Sequence, residues 1–206
     1  MAKERDKTTE RLILDAATKV FTRRGFAAAR TEEIAEEAGI NRALLHYYYR
    51  DKRTMFNLIF EEKFKEFFKG VFTIITSEGE LLDKIERLVD HEITTLSKHP
   101  DLARFVLVEI ALQPEKLIQY GQKMQINPRA FIEAFEAQVE HTIAAGKIKP
   151  ISGRQLLMNT MSLCIYPFIA KPVIKTMMQM DENAFMSMME ERKREVFQFI
   201  RDSLIR

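Results

Sequence analysis

Apolar residues recur along this chain at spacings of three and four, the signature of helices with one packed face. The first seven residues, MAKERDK, are too charged to pack and read as an arm. Residues 8–24 follow as a helix with Leu12, Ile13, Ala16, Ala17, Val20 and Phe21 on one side, and Gly25 ends it. Residues 31–38 predict a short helix. Thr31 can cap it, Glu32 and Glu33 suit the positive end of its dipole, and Ile34, Ala35 and Ala38 form its stripe. Gly39 supplies a left-handed turn, Ile40 plugs the corner, and Asn41 caps a second short helix in which Leu45 and Tyr49 point inward. Asp51 then caps a long helix to about residue 77. Its stripe of Phe56, Phe60, Phe64, Phe67, Phe68, Val71, Phe72 and Ile75 is broad and aromatic, and Gly70 inside it marks a kink or a close packing contact.

Five further helices are predicted. Residues 80–99 are amphipathic up to the His99-Pro100 break, and residues 101–113 are apolar nearly all round, as expected of a helix central to a bundle. A short irregular piece with Leu117, Tyr120 and Met124 leads to Asn127-Pro128, a cap followed by proline in the first turn, which opens a helix closed by Gly146. Ser152 starts the next, kinked at Pro167 and Pro172, and Asp181 starts the last. The fold class is therefore all-α: a three-helix helix-turn-helix head over residues 1–54, followed by a larger helical bundle over residues 55–206.

Composition sharpens this picture in three places. Few glycines and prolines (7 and 6 in 206 residues) and abundant Met and Phe (11 and 15) suit a helical protein. The net charge of +2 is unevenly spread, with twelve Lys and Arg against nine Asp and Glu in residues 1–55, so the positive excess lies at the amino end. A lone Cys164 allows no internal disulfide, no apolar run reaches the length of a membrane span, and the first residues lack a signal peptide. The expected setting is the cytoplasm, with no membrane partner.

The second short helix carries more polar and aromatic surface than a small core absorbs. His46, Tyr47, Tyr48 and Tyr49 cover most of its circumference, so only Tyr49 and Leu45 can be inside. His46, Tyr47 and Tyr48, set beside Arg42, suit phosphate oxygens and base edges. Lys52 at the start of the long helix reads as a phosphate clamp, with a solvated surface lysine as the alternative. The ordered set Thr31, Ile34-Ala35, Ala38-Gly39-Ile40, Leu45, Tyr48-Tyr49 and Lys52, with the helix before it, resembles the DNA-binding domain of the tetracycline-repressor (TetR) family over roughly residues 8–56. The resemblance implies double-stranded DNA as partner, with contacts from Thr31, Arg42, Ala43, Leu44, His46, Tyr47, Tyr48 and Lys52. It also implies a homodimer through the last two helices. Asn41, Leu44 and His46 depart from the residues common in that family (serine, threonine and tyrosine), which bears on base preference and not on fold.

Enzyme chemistry finds no support in the pattern. His91, His99 and His141 have no partner histidine four residues away, no Cys cluster or glycine-rich phosphate loop occurs, and Cys164 in an apolar helix reads as core. No metal or cofactor is expected. The expected function is a ligand-responsive transcriptional regulator, most often a repressor in the resembled family, on a palindromic site. Its small hydrophobic effector would be lined by Phe60, Phe64, Phe67, Phe105, Tyr120, Met124, Phe131, Phe135, Met161 and Tyr166, each of which is otherwise plain core. Two rival readings stay open: a helical protein-interaction module that has lost DNA binding, and a lipid-binding helical bundle.

Overall fold

The computed structural model describes residues 2–125 and 127–205, with side chains from Lys7 onward. Among these residues the chain is helical, without strands: α1 (Ala2–Ala28), α2 (Thr31–Glu37), α3 (Arg42–Tyr48), α4 (Lys52–Thr76), α5 (Leu81–Lys98), α6 (Leu102–Leu112), α7 (Glu115–Lys123), α8 (Pro128–Ala144), α9 (Gly153–Ile169), α10 (Lys171–Met177) and α11 (Glu182–Leu204). Two compact units result, Met1–Lys65 and Glu66–Arg206, and the division falls inside α4.

In the first unit, Ile13, Ala16, Ala17, Val20 and Phe21 of α1 are buried, as are Ile34 and Ala35 of α2, Leu45 of α3, and Met55, Phe56 and Ile59 of α4. Leu12, expected on the packed side, is 52% exposed, because Ile13 and Ala16 already fill that arc. The helix also starts at Ala2 rather than at residue 8. Lys, Glu and Arg are good helix formers, so charge that cannot pack can still extend a helix. Met1, the first residue of the expected arm, lies outside the described residues. Gly25, with φ +74°, breaks the helical path inside α1 where the sequence predicts its end.

The α2–α3 corner is a Schellman turn. Gly39 sits at φ +66°, the Ile40 N–H donates to the Ala35 carbonyl (3.0 Å), and the Gly39 N–H donates to the Glu36 carbonyl (3.0 Å). Asn41 caps α3 by accepting the Leu44 N–H at 2.8 Å, and Asp51 caps α4 by accepting the Thr54 N–H at 2.8 Å. Thr31 is not the cap expected of it. The cap position belongs to Arg30, whose N–H donates to the Glu33 carboxylate (3.3 Å), half of a capping box.

In the second unit α9 is the central helix, packed against α5, α6, α8, α10 and α11. The apolar α6, expected at the centre, packs on α9 and α7 and leaves Val108 and Leu112 exposed. Residues 115–123, expected to be irregular, form α7, whose corner with α6 is held by Lys116 donating to the buried Glu109. Gly70 is the close contact that its position suggested: a Cβ there would lie 1.8 Å from His91 Nε2. Lys84 reaches from α5 to the Ile75 carbonyl (3.1 Å) and to Gln138 (2.8 Å), tying the end of α4 to α8.

Pro167 lies inside α9, where its missing N–H would orphan the carbonyl of Leu163 four residues back. Arg192 of α11 donates its Nε–H to that carbonyl at 3.1 Å, so the break is repaired from a neighbouring helix. The kink comes further on, where α10, opened by Pro172 near its start, leaves α9 at 70°. Among the described residues no single helix is long and apolar enough to cross a membrane.

Glu92 of α5 is 2% exposed, its Oε2 has no hydrogen-bond partner among the described residues, and burial pushes its pKa up to about 8. The folded chain thus keeps a proton that the unfolded chain releases near 4.5. Its contribution to stability is complete below that pH and is lost as pH rises towards 8. The melting temperature of the native chain should fall relative to that of Glu92→Gln between pH 5 and pH 8; a difference that stays constant with pH would refute the buried proton. Arg192→Met should cost about 1–2 kcal/mol in urea unfolding by leaving the Leu163 carbonyl unpaired. Against a Pro167→Ala background, which restores the helical N–H, the same change should cost less than half as much.

Candidate nucleic-acid interface

Two turns of helix, α3, form the centre of the candidate interface. Leu45 is fully buried and Tyr49, just past the end of α3, is 4% exposed, so these two fix which side of α3 faces inward. The Tyr49 hydroxyl donates to Glu10 of α1 at 3.3 Å, and burial, then Glu10, raise its pKa. The opposite side presents Arg42, Ala43, Leu44, His46 and Tyr47, all exposed, with Tyr47 at 76%. Tyr48 is half-buried and edge-on to Tyr47 at 5.3 Å. Thr31 stands half-buried in the first turn of α2, its hydroxyl donating to Glu32 at 3.4 Å.

Arg42 already has an anionic neighbour, with its guanidinium 3.1 Å from Glu32 of α2. The N–H of Glu32 itself, at the head of α2, and then Arg42 hold that carboxyl below the usual range. Further ion pairs, Lys19 with Glu37 (3.1 Å) and Arg24 with Glu33 (3.2 Å), join α1 to α2. Lys52 does not project with the others. Its ammonium points back onto the end of α1, donating to the carbonyls of Phe26 (2.7 Å) and Ala29 (2.8 Å). The clamp position expected of it is therefore turned inward, because unpaired carbonyls at a helix end attract a nearby cation. Arg30 and Arg50, exposed beside α2 and α3, were not singled out by sequence reasoning. They lie outside the periodic pattern, and only a residue-by-residue placement of the amino-terminal charge excess would have found them.

Of the residues expected to line an effector site, Phe67, Tyr120 and Phe135 are buried in the second unit, while Phe105, Met124, Phe131 and Met161 are half-buried there. Phe131 meets Phe72 edge-on at 4.7 Å. Phe60 and Phe64, both buried, lie on the part of α4 that belongs to the first unit. Tyr166 is a correction: it is 63% exposed on α9, pointing out of the chain rather than into it. An open cavity of about 410 Å³ lies elsewhere, lined by Ile118, Gln122, Gln125, Asn127, Pro128 and Arg129 between α7 and α8. None of its liners is aromatic, so a search for aromatic stripes passes over it. Among the described residues no group of three or more His, Cys, Asp or Glu could hold a metal ion.

A capped two-turn helix exposing cationic, imidazole and phenolic groups, set by a left-handed glycine turn against a three-helix core, defines a helix-turn-helix DNA-binding regulator. Known proteins agree. Residues 13–59 match the description "Bacterial regulatory proteins, tetR family", and residues 82–200 match "Tetracyclin repressor-like, C-terminal domain". The chain belongs to the TetR family of bacterial regulatory proteins, whose members are transcription factors and not enzymes. It is similar to the HTH-type transcriptional repressor SCO4008 of Streptomyces coelicolor, 30% identical over 53% of this chain and 53% of that protein. The chain thus matches about half the length of this relative. It is also similar to the fatty acid metabolism regulator protein of Bacillus subtilis, 22% identical over 66% of this chain and 69% of that protein. Among solved structures, the transcriptional regulator FadR from Bacillus subtilis in complex with stearoyl-CoA shares the fold at a TM-score of 0.59. It is 16% identical, with 93% of this chain and 97% of that chain covered.

Proposed function

We propose that the chain is a cytoplasmic, homodimeric repressor that reads a palindromic duplex with two copies of α3 and releases it when a hydrophobic effector enters its carboxyl-terminal part. The observation that carries this reading is the outward side of α3, where Arg42, Ala43, Leu44, His46 and Tyr47 stand together while Leu45 and Tyr49 face in. Thr31 and Tyr48 flank this side as backbone-contacting groups. Arg42 suits phosphate or a guanine edge, and Leu44 offers an apolar contact to a thymine methyl. Residues 1–54 serve as the reading head and residues 55–206 as the effector and dimer part.

Dimerisation through the last helices is supported by their exposed apolar side chains. Tyr166 (63%), Met177 (79%) and Phe199 (67%) are large apolar side chains left exposed on α9, α10 and α11, available to be covered by a second copy. In a dimer, two readers would stand about 34–36 Å apart, one turn of B-DNA. The effector is a fatty acyl derivative. Support comes from the apolar, adaptable interior of Phe67, Phe105, Tyr120, Met124, Phe131, Phe135 and Met161, and from the fatty acid regulator among the relatives. An acyl chain packed against Phe67 and Phe72 would act on the same helix that begins at Lys52. It relieves repression provided it binds the released form more tightly than the DNA-bound one.

Fluorescence anisotropy on the DNA flanking the chain's own gene, against a scrambled duplex, tests the reading. Preference for the native duplex is expected, with a steep salt dependence whose slope falls by about one in Arg42→Ala. Equal and weak binding to both duplexes would favour an interaction module that has lost DNA binding. Phe199→Glu should convert the dimer to monomer in analytical ultracentrifugation while the helical circular-dichroism signal is retained. A dimer that survives this change places the interface elsewhere.

A further inference from the structure

Lys52 stands at the foot of the reader. Its Nζ donates to the carbonyls of Phe26 (2.7 Å), Ala29 (2.8 Å) and, more weakly, Ala27 (3.5 Å), and it lies 4.6 Å from the centre of the Phe26 ring. An ammonium has three N–H donors, and this shell uses all of them. The carbonyls belong to the frayed end of α1 beyond the break at Gly25, where a cation is favoured by the helix dipole. Lys52 thus replaces the missing cap of α1.

The path of the chain gives this contact its leverage. Helices α2 and α3 lie wholly between Ala29 and Lys52, so the bonds from Lys52 close a loop whose content is the reader. Phe26 is the seat of the closure. Its ring takes Lys52 on one contact, Arg53 at 5.2 Å on another, and packs on Phe56 at 4.9 Å. A phosphate could recruit the ammonium only by removing it from carbonyls that would then be left unpaired.

We propose that Lys52 is a positioning residue for DNA reading: it clips together the two ends of the α2–α3 segment and so fixes the direction in which α3 presents Arg42, Leu44 and His46. The proposal rests on the reading of α3 as the DNA-contacting element. It differs from a phosphate grip in a measurable way. A grip holds every sequence equally, whereas a misdirected reader loses discrimination and keeps its non-specific hold.

The test compares the native chain, Lys52→Met, Phe26→Leu and the double variant, all well below the lowest of their melting temperatures. Each is titrated over a range of salt onto a duplex that the native chain selects from a randomised library, and onto a scrambled duplex. Lys52→Met should weaken the selected duplex about tenfold, the size of one mismatched base pair, with the scrambled duplex and the salt slope unchanged. Phe26→Leu should reproduce part of that loss, and the double variant should be no worse than Lys52→Met. Equal loss on both duplexes, with a slope shallower by about one, would make Lys52 a phosphate clamp and overturn the proposal. Unchanged affinity for both, with a lower melting temperature, would overturn it in favour of a purely structural lysine. If the native chain selects no duplex, the DNA reading itself falls, and the clip with it; that result needs no variant to recognise.

Discussion

Seven residues do not hold an α-helix in water, and α3 has seven. Its helicity is imposed from outside, by Asn41 at its start, by the buried Leu45 at its middle and by Tyr49 just beyond its end. Each anchor depends on something else in the first unit. Asn41 is delivered by the left-handed Gly39 turn, Leu45 by a core drawn from α1, α2 and α4, and Tyr49 by Glu10 on α1. The three-helix head is therefore the minimum apparatus that keeps two turns of helix folded while leaving one side of it bare. The same economy explains the ion pairs between α1 and α2, which lie on exposed surfaces and add little singly.

The parts of this design that follow a period or a turn rule were legible in the sequence. The inward pair Leu45 and Tyr49, the caps Asn41 and Asp51, the stop at Gly25 and the corner at Gly39 each rest on one local rule, and each holds in the structure. Parts that depend on a choice between partners were not. Thr31 has capping chemistry, but the backbone turns extended one residue earlier, and Glu33 takes over the pairing from the other side. Lys52 has a charge that suits phosphate, but its nearest acceptors are carbonyls that no sequence pattern reveals. Likewise α6 is apolar nearly all round, yet whether a neighbour covers it depends on where α9 runs. Tyr166 looked like interior because aromatic spacing does not say which of two apolar sides faces in.

The second unit shows how a helical bundle tolerates a residue that should break it. Pro167 occupies the central helix, and the damage is confined because Arg192 supplies the absent donor. Nearby, Cys164 is fully buried, its thiol pushed up to about 12 by burial and then by Glu92, with Arg192 acting in the opposite direction. A cysteine so placed stays a protonated, inert packing residue. Arg192 thus serves two neighbours on α9, pairing the carbonyl of Leu163 and opposing the rise at Cys164.

The pairing of Arg42 with Glu32 carries one more consequence. Viewed from afar, the two opposite charges 3.1 Å apart form a dipole and not a free positive charge, so their field fades faster with distance than that of a lone arginine. Beyond a Debye length, about 8 Å at physiological salt, even that remainder is screened. Arg42 is in effect silent to a distant polyanion and becomes audible only at contact, when a competing anion can draw it from Glu32. Such an arginine adds little to the speed of encounter and is free to act only once surfaces meet.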